Sequence, residues 1–108
     1  MPSYVILMKL TDEMRGDMQK LPEHMDEIGE TWEALTGNPI ITVLATLGDV
    51  DIVAVGVAQD DETVAHIALN LSDAGWAKTT SMRAYAADEV ARIIAIAPVE
   101  PMRAHNWR

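Results

Sequence analysis

The stretch from Pro39 to Ala58 reads PIITVLATLGDVDIVAVGVA. Two apolar runs rich in β-branched residues, Pro39 to Leu47 and Asp51 to Ala58, flank the triplet Gly48-Asp49-Val50. A connection this short joins neighbouring antiparallel strands, so the stretch predicts a β-hairpin. Gly48 supplies the positive φ that such a turn asks for, and the Asp51 carboxylate is placed to accept hydrogen bonds from the turn's amides. The same carboxylate also reads as a candidate pocket residue. In the second strand the sets Ile52, Ala54, Gly56 and Val53, Val55, Val57 are both apolar. Side chains alternate faces along a strand, so neither face of this one is built for water.

Working outward, Ser3 to Leu10 (SYVILMKL) predicts a strand before the hairpin, with Tyr4 and Lys9 on opposite faces. Thr11-Asp12-Glu13 then offers a helix start, a capping hydroxyl followed by two acids. The helical region is expected over about 12 to 36, with a break near Leu21-Pro22 and a C-terminal cap at Gly37. Its apolar stripe is Met25, Ile28, Trp32 and Leu35. Beyond the hairpin, Asp60-Asp61-Glu62 opens a helix with Val64, Ile67, Ala68 and Leu71 on one side, ended by Gly75. Lys78 to Tyr85 (KTTSMRAY) predicts a fourth strand, and Ala87-Asp88-Glu89 a last helix stopped by Pro98.

The order is therefore β-α-β-β-α-β-α, the strand-helix-strand unit twice over. Two such units sharing one antiparallel sheet, with both main helices on one side, make a ferredoxin-like α+β plait with an extra C-terminal helix. The domain is expected over 1–97 and a tail without periodicity over 98–108. The other side of the sheet is apolar and uncovered, so a homodimer or a higher homo-oligomer is expected.

A chain of 108 residues with 49% hydrophobic side chains has the material for one real core. The absence of cysteine excludes disulfides, thiolate metal sites and a cysteine nucleophile. A formal net charge of −9 argues against nucleic acid and anionic membrane partners. Met1-Pro2-Ser3-Tyr4 has no basic n-region, and no apolar run reaches the length of a membrane span, so the cytoplasm is the expected compartment.

These residues resemble the GYD domain proteins of the dimeric α+β barrel superfamily. The resemblance runs from about Tyr4 to Ala95 and is carried by YVILMKLTDE, TLGDVDIVAVGVAQDDETVAHIALNL and AKTTSMRAYAADE. The family's Gly-x-Tyr-Asp pattern maps onto Gly48, Asp49, Val50 and Asp51, with Val50 standing where the tyrosine belongs. The resemblance implies a ferredoxin-like fold and sheet-to-sheet oligomers, and it implies no reaction.

The candidate site rests on the fourth strand, where Thr79, Ser81, Arg83 and Tyr85 alternate and so share a face. In one reading Arg83 holds an anionic group and Tyr85 donates a proton. In the other the row makes cross-strand hydrogen bonds at an edge or dimer rim. A guanidinium on the helix side needs either an internal carboxylate, Asp51 being the nearest by topology, or an anionic ligand. His24 shares a helix face with Ile28 and is a candidate acid or base, while Trp32 and the methionines supply apolar walls. His24, His66 and His105 show no ligand spacing, so no metal is expected, and no phosphate loop or dinucleotide fingerprint is present. The leading expectation is a protein that binds a small molecule without a cofactor. Isomerisation, cyclisation or oxygenation, which relatives in the superfamily carry out, is the enzymatic alternative. An oligomeric interaction module without a ligand is the other.

Overall fold

A computed structural model of the chain describes residues 1–96. The expected tail, 98–108, and residue 97 lie outside the described residues. The strands are β1 (Ser3–Leu10), β2 (Thr42–Ala45), β3 (Ile52–Val57) and β4 (Ala77–Ala84). The helices are α1 (Asp12–Arg15), α2 (Leu21–Thr36), α3 (Asp61–Asp73) and α4 (Ala87–Ile96), with a 3₁₀ turn at Met18–Lys20. The strands lie in the order β2-β3-β1-β4, and every neighbouring pair is antiparallel. This is the α+β plait that the two strand-helix-strand units predict.

Local chemistry explains most boundaries. Thr11 Oγ1 accepts from the Met14 amide, and Asp60 Oδ1 accepts from the Thr63 amide at 2.8 Å, so α1 and α3 both open on a side-chain cap. The break in the first helical region falls earlier than expected. Gly16 ends α1, and Pro22 sits instead in the first turn of α2, where its missing N–H costs no bond. Gly37 closes α2 with φ +74°. In the hairpin, β2 is only Thr42–Ala45, much shorter than Pro39 to Leu47. The pairing still extends past both ends of β2, since the Ile41 amide donates to the Val55 carbonyl and the Thr46 amide to the carbonyl of Asp51, just before β3. Gly48 has φ +152°, as the turn requires.

Strand alternation now resolves. Tyr4, Ile6, Met8 and Leu10 of β1 are buried beside Ile52 and Ala54 of β3. Ile28 and Trp32 of α2 and Val64, Ile67 and Leu71 of α3 cover them. Leu35, expected on the stripe of α2, is exposed, and Thr36 is buried in its stead. The buried row of α2 therefore runs i, i+4, i+8 through Ile28, Trp32 and Thr36. The Thr36 hydroxyl is satisfied there by donating to the Trp32 carbonyl at 2.7 Å.

Trp32 is the anchor of the helix layer. It is 1% exposed, and its indole N–H donates to the Val57 carbonyl at 3.0 Å. The ring lies on Gly56, where a Cβ would come within 2.5 Å of indole carbon. Glycine in mid-strand is thus required by the close approach of the ring.

Trp32→Ala is expected to destabilise the fold by about 3–5 kcal/mol, the loss typical of a fully buried aromatic side chain. Gly56→Ala, which overpacks the same contact, is expected to cost about 1–3 kcal/mol. Urea denaturation of the two variants checks both values. A loss below about 1 kcal/mol for Trp32→Ala would move the ring out of the core.

Candidate functional site

The register of β4 against β1 places Arg83 opposite Tyr4, Ser81 opposite Ile6 and Thr79 opposite Met8. The polar row therefore looks to the helix side, along the edge of the sheet. Where α3 stands off from this edge, a cleft of about 500 Å³ opens, lined by Tyr4, Asp61, Val64, Thr79, Ser81 and Arg83 among others. Its size is that of a small-molecule pocket. Its wall is apolar on the α3 side and polar on the β4 side.

The Tyr4 ring is buried in the core, while its hydroxyl reaches the cleft and donates to Asp61 Oδ1 at 2.5 Å. Burial, reinforced by the neighbouring Asp61 carboxylate, pushes the Tyr4 phenol up to about 12. It is therefore a hydrogen-bond donor at neutral pH and no base. Arg83 is half-buried, its guanidinium 4.4 Å from the centre of the Tyr85 ring and 5.8 Å from that of Tyr4. Its Nη1 donates to the Ala84 carbonyl at 2.7 Å, and Nη2 lies 3.6 Å from Glu89 Oε2. Glu89 in turn accepts from the Ala86 amide at the start of α4. That hydrogen bond, helped by Arg83 and Arg92, holds the Glu89 carboxyl below its usual range.

The carboxylate for Arg83 thus comes from α4, and Asp51 does not serve it. Asp51 sits toward the other end of β1, where its Oδ2 accepts from the Leu10 amide at 2.8 Å and from Arg15 Nη2 at 3.0 Å. Burial alone would raise this carboxyl, but the Leu10 amide, Arg15 and Lys9 outweigh it and keep it low. Its partners lie across the sheet and on α1, outside the amides of its own turn.

Of the six candidate residues, the structure brings together Arg83, Tyr85 and Ser81. Ser81 and Arg83 line the cleft, and Tyr85, just past the end of β4, stacks against Arg83. Trp32, Asp51 and His24 stand elsewhere. Trp32 is in the core. His24 packs edge-on against Trp76, with ring centres 4.4 Å apart. Among the described residues its buried Nδ1 has no hydrogen-bond partner, and it lies 3.8 Å from Glu27 Oε2. Thr79 joins Ser81 and Arg83 in the cleft as their alternation implies, whereas Tyr4, Asp61 and Glu89 belong to the cleft region although the sequence did not place them there. The two acids read as helix-opening residues, and only the β1–β4 register carries Tyr4 to Arg83.

The chain belongs to the GYD domain family, whose family model matches residues 4–94. It is similar to the glutamine synthetase and cystathionine beta-lyase binding protein of Thermus thermophilus. The two are 35% identical over 94 residues, which is 86% of this chain and 99% of that relative. No solved structure matches significantly.

The raised phenol of Tyr4 gives a pH dependence with a definite sign. A group whose ionisation is shifted upward by folding stabilises the fold fully below its unfolded value, near 10. That contribution is lost as pH rises toward about 12. Stability is thus expected to fall over this window, and Tyr4→Phe is expected to flatten this part of the profile. Chemical denaturation between pH 9 and about 12 checks it. An unchanged slope in the variant would reject Tyr4 as the source.

Proposed function

We propose that this protein is a homo-oligomeric interaction module, two copies joining through the open faces of their sheets and the assembly binding partner enzymes. The observation that carries this reading is apolar surface that no other described residue covers on two elements. On the open sheet face, register aligns Val5 with Val55 and Met82, and Leu7 with Val53, while Leu44 lies beside Val53. A solvated antiparallel sheet face normally carries polar residues, whereas the centre of this one, across β1 and β3, is apolar. In α4, none of the ten residues is buried, and Val90, Ile93, Ile94 and Ile96 are exposed. Helices so largely apolar are found packed against something.

The sheet face spans all four strands in the order β2-β3-β1-β4, which suits a second copy of itself under two-fold symmetry. The helix α4 then remains for a different protein. The relative from Thermus thermophilus is named for binding glutamine synthetase and cystathionine beta-lyase, and it aligns with nearly the whole fold. Enzymes of those two kinds are accordingly the partners proposed for this chain.

A second reading is favoured by the cleft between α3 and β4, with Tyr4, Asp61 and Arg83 at its rim. In it, the cleft takes a small molecule and needs no cofactor to do so. Because Glu89 Oε2 lies 3.6 Å from Arg83 Nη2, the cationic charge of Arg83 is already partly offset. Hydrogen bonding from Ser81, Thr79 and Tyr4 then decides the fit more than anion attraction does. Arg83→Met is the variant that separates a ligand role from a structural one, by ligand binding on one side and melting on the other.

The wild type is expected to sediment as a dimer or a multiple of it at micromolar concentration, and Val55→Asp as a monomer. An unpaired carboxylate buried at the interface costs several kcal/mol. A wild type that stays at 11.8 kDa overturns the sheet-to-sheet assembly.

Purified glutamine synthetase and cystathionine beta-lyase, immobilised for surface plasmon resonance, are expected to retain the wild type. They should retain Ile93→Asp at least about tenfold more weakly, roughly the effect of losing one buried anchor, with its oligomeric state unchanged. Equal retention of both proteins removes α4 from the binding surface. No retention by either enzyme removes these partners.

A further inference from the structure

Three of the chain's eight basic side chains come together at one end of the sheet. Lys9 of β1 and Lys78 of β4 stand directly opposite one another across the antiparallel ladder, both exposed on the open face. In such a pair the Cβ atoms are roughly 5 Å apart, and like charges placed there destabilise a sheet. Arg15 approaches the same end from α1, its Nη2 tethered 3.0 Å from Asp51 Oδ2. With Leu10, Thr11 and Asp12, the three cations enclose a notch of about 360 Å³.

The charge balance of this notch runs against that of the whole chain. The net charge is −9, so carboxylates are abundant. Yet among the described residues neither lysine has a carboxylate within 4.0 Å, while Lys20 and Arg83 each have one. Asp12 is the one acid lining the notch, and Asp51 is already engaged by Arg15 and the Leu10 amide. The residual charge is positive, in a recess large enough for a small metabolite.

We propose that the notch bounded by Lys9, Arg15 and Lys78 is a binding site for a small oxyanion carrying two or more negative charges. One such ion bridges both ammonium groups and turns their mutual repulsion into two charge-assisted hydrogen bonds. Arg15, fixed by Asp51, adds planar donors on a third side. A singly charged ion satisfies one ammonium and leaves the other opposed. The notch is separate from the α3–β4 cleft. Lys78 is at the beginning of β4 and Arg83 near its end, five residues or roughly 17 Å apart along the strand.

The test titrates inorganic phosphate, pyrophosphate and citrate into the ¹⁵N-labelled full-length protein. Ionic strength is held low and constant, with sodium chloride as the control, because salt at about 0.1 M screens exposed charges beyond roughly 10 Å. Saturable shifts are expected for the Leu10, Thr11 and Lys78 amides with at least one of the polyanions and not with chloride. Affinity should drop roughly tenfold in Lys9→Gln and again in Lys9→Gln/Lys78→Gln, the scale of one charge-assisted hydrogen bond each. Arg83→Met should bind as the wild type does. Melting supplies a second readout. Without polyanion, Lys78→Gln should melt at or above the wild-type temperature, and with saturating pyrophosphate below it. Matching shifts with chloride, or equal affinity in the double variant, overturn the proposal. So does a double variant that self-associates more weakly while anions have no effect, which would assign the lysines to the contact between copies.

Discussion

Strand β1 is hydrogen-bonded along both edges, to β3 on one side and β4 on the other, through antiparallel ladders that begin at Ser3. Because side chains alternate, this double pairing fixes at once which residues are core and which are not. Tyr4, Ile6, Met8 and Leu10 go under the helices, and Val5 and Leu7 go to the open face. A slip of one residue would bury Lys9 and expose Met8. Trp32 reinforces the choice from above, since its ring needs the bare backbone of Gly56 beneath it.

The same register distributes the polar chemistry of the edge strand. Thr79, Ser81 and Arg83 take the helix side next to Tyr4, while Lys78 takes the open side next to Lys9. One strand therefore contributes to two distinct recesses, the α3–β4 cleft near its end and the basic notch at its beginning. In the cleft, Arg83 is satisfied by Glu89, the Ala84 carbonyl and the Tyr85 ring, so the guanidinium is half-buried without an orphan charge. In the notch the lysines have no such partner among the described residues. This contrast, and not the number of cations, separates a partnered guanidinium from two ammonium groups without a carboxylate neighbour among the described residues.

Asp51 belongs to the motif through which the chain resembles its family, and its role here is architectural. By accepting from the Leu10 amide and from Arg15, it ties the hairpin to the end of β1 and to α1. The tyrosine of the motif is replaced by Val50, and the tie does not involve that position.

The elements themselves were legible in the sequence because their signals are local. Strand runs, acid-rich helix starts, the Gly37 cap and the Gly48 turn all follow from backbone preferences within a few residues. The β-α-β-β-α-β order and the surplus apolar sheet face follow from those elements and their alternation. The candidate site was half legible. Alternation placed Ser81 and Arg83 together, but it said nothing of what stands opposite. Tyr4 reaches the cleft through cross-strand register, Asp61 through the seating of α3, and Glu89 through the approach of α4. For the same reason Asp51, which topology alone placed nearest Arg83, proved to serve Arg15, and Trp32 proved to be core. Local propensity reads the chain a few residues at a time, whereas partners separated by 57 or 36 residues are chosen by tertiary packing.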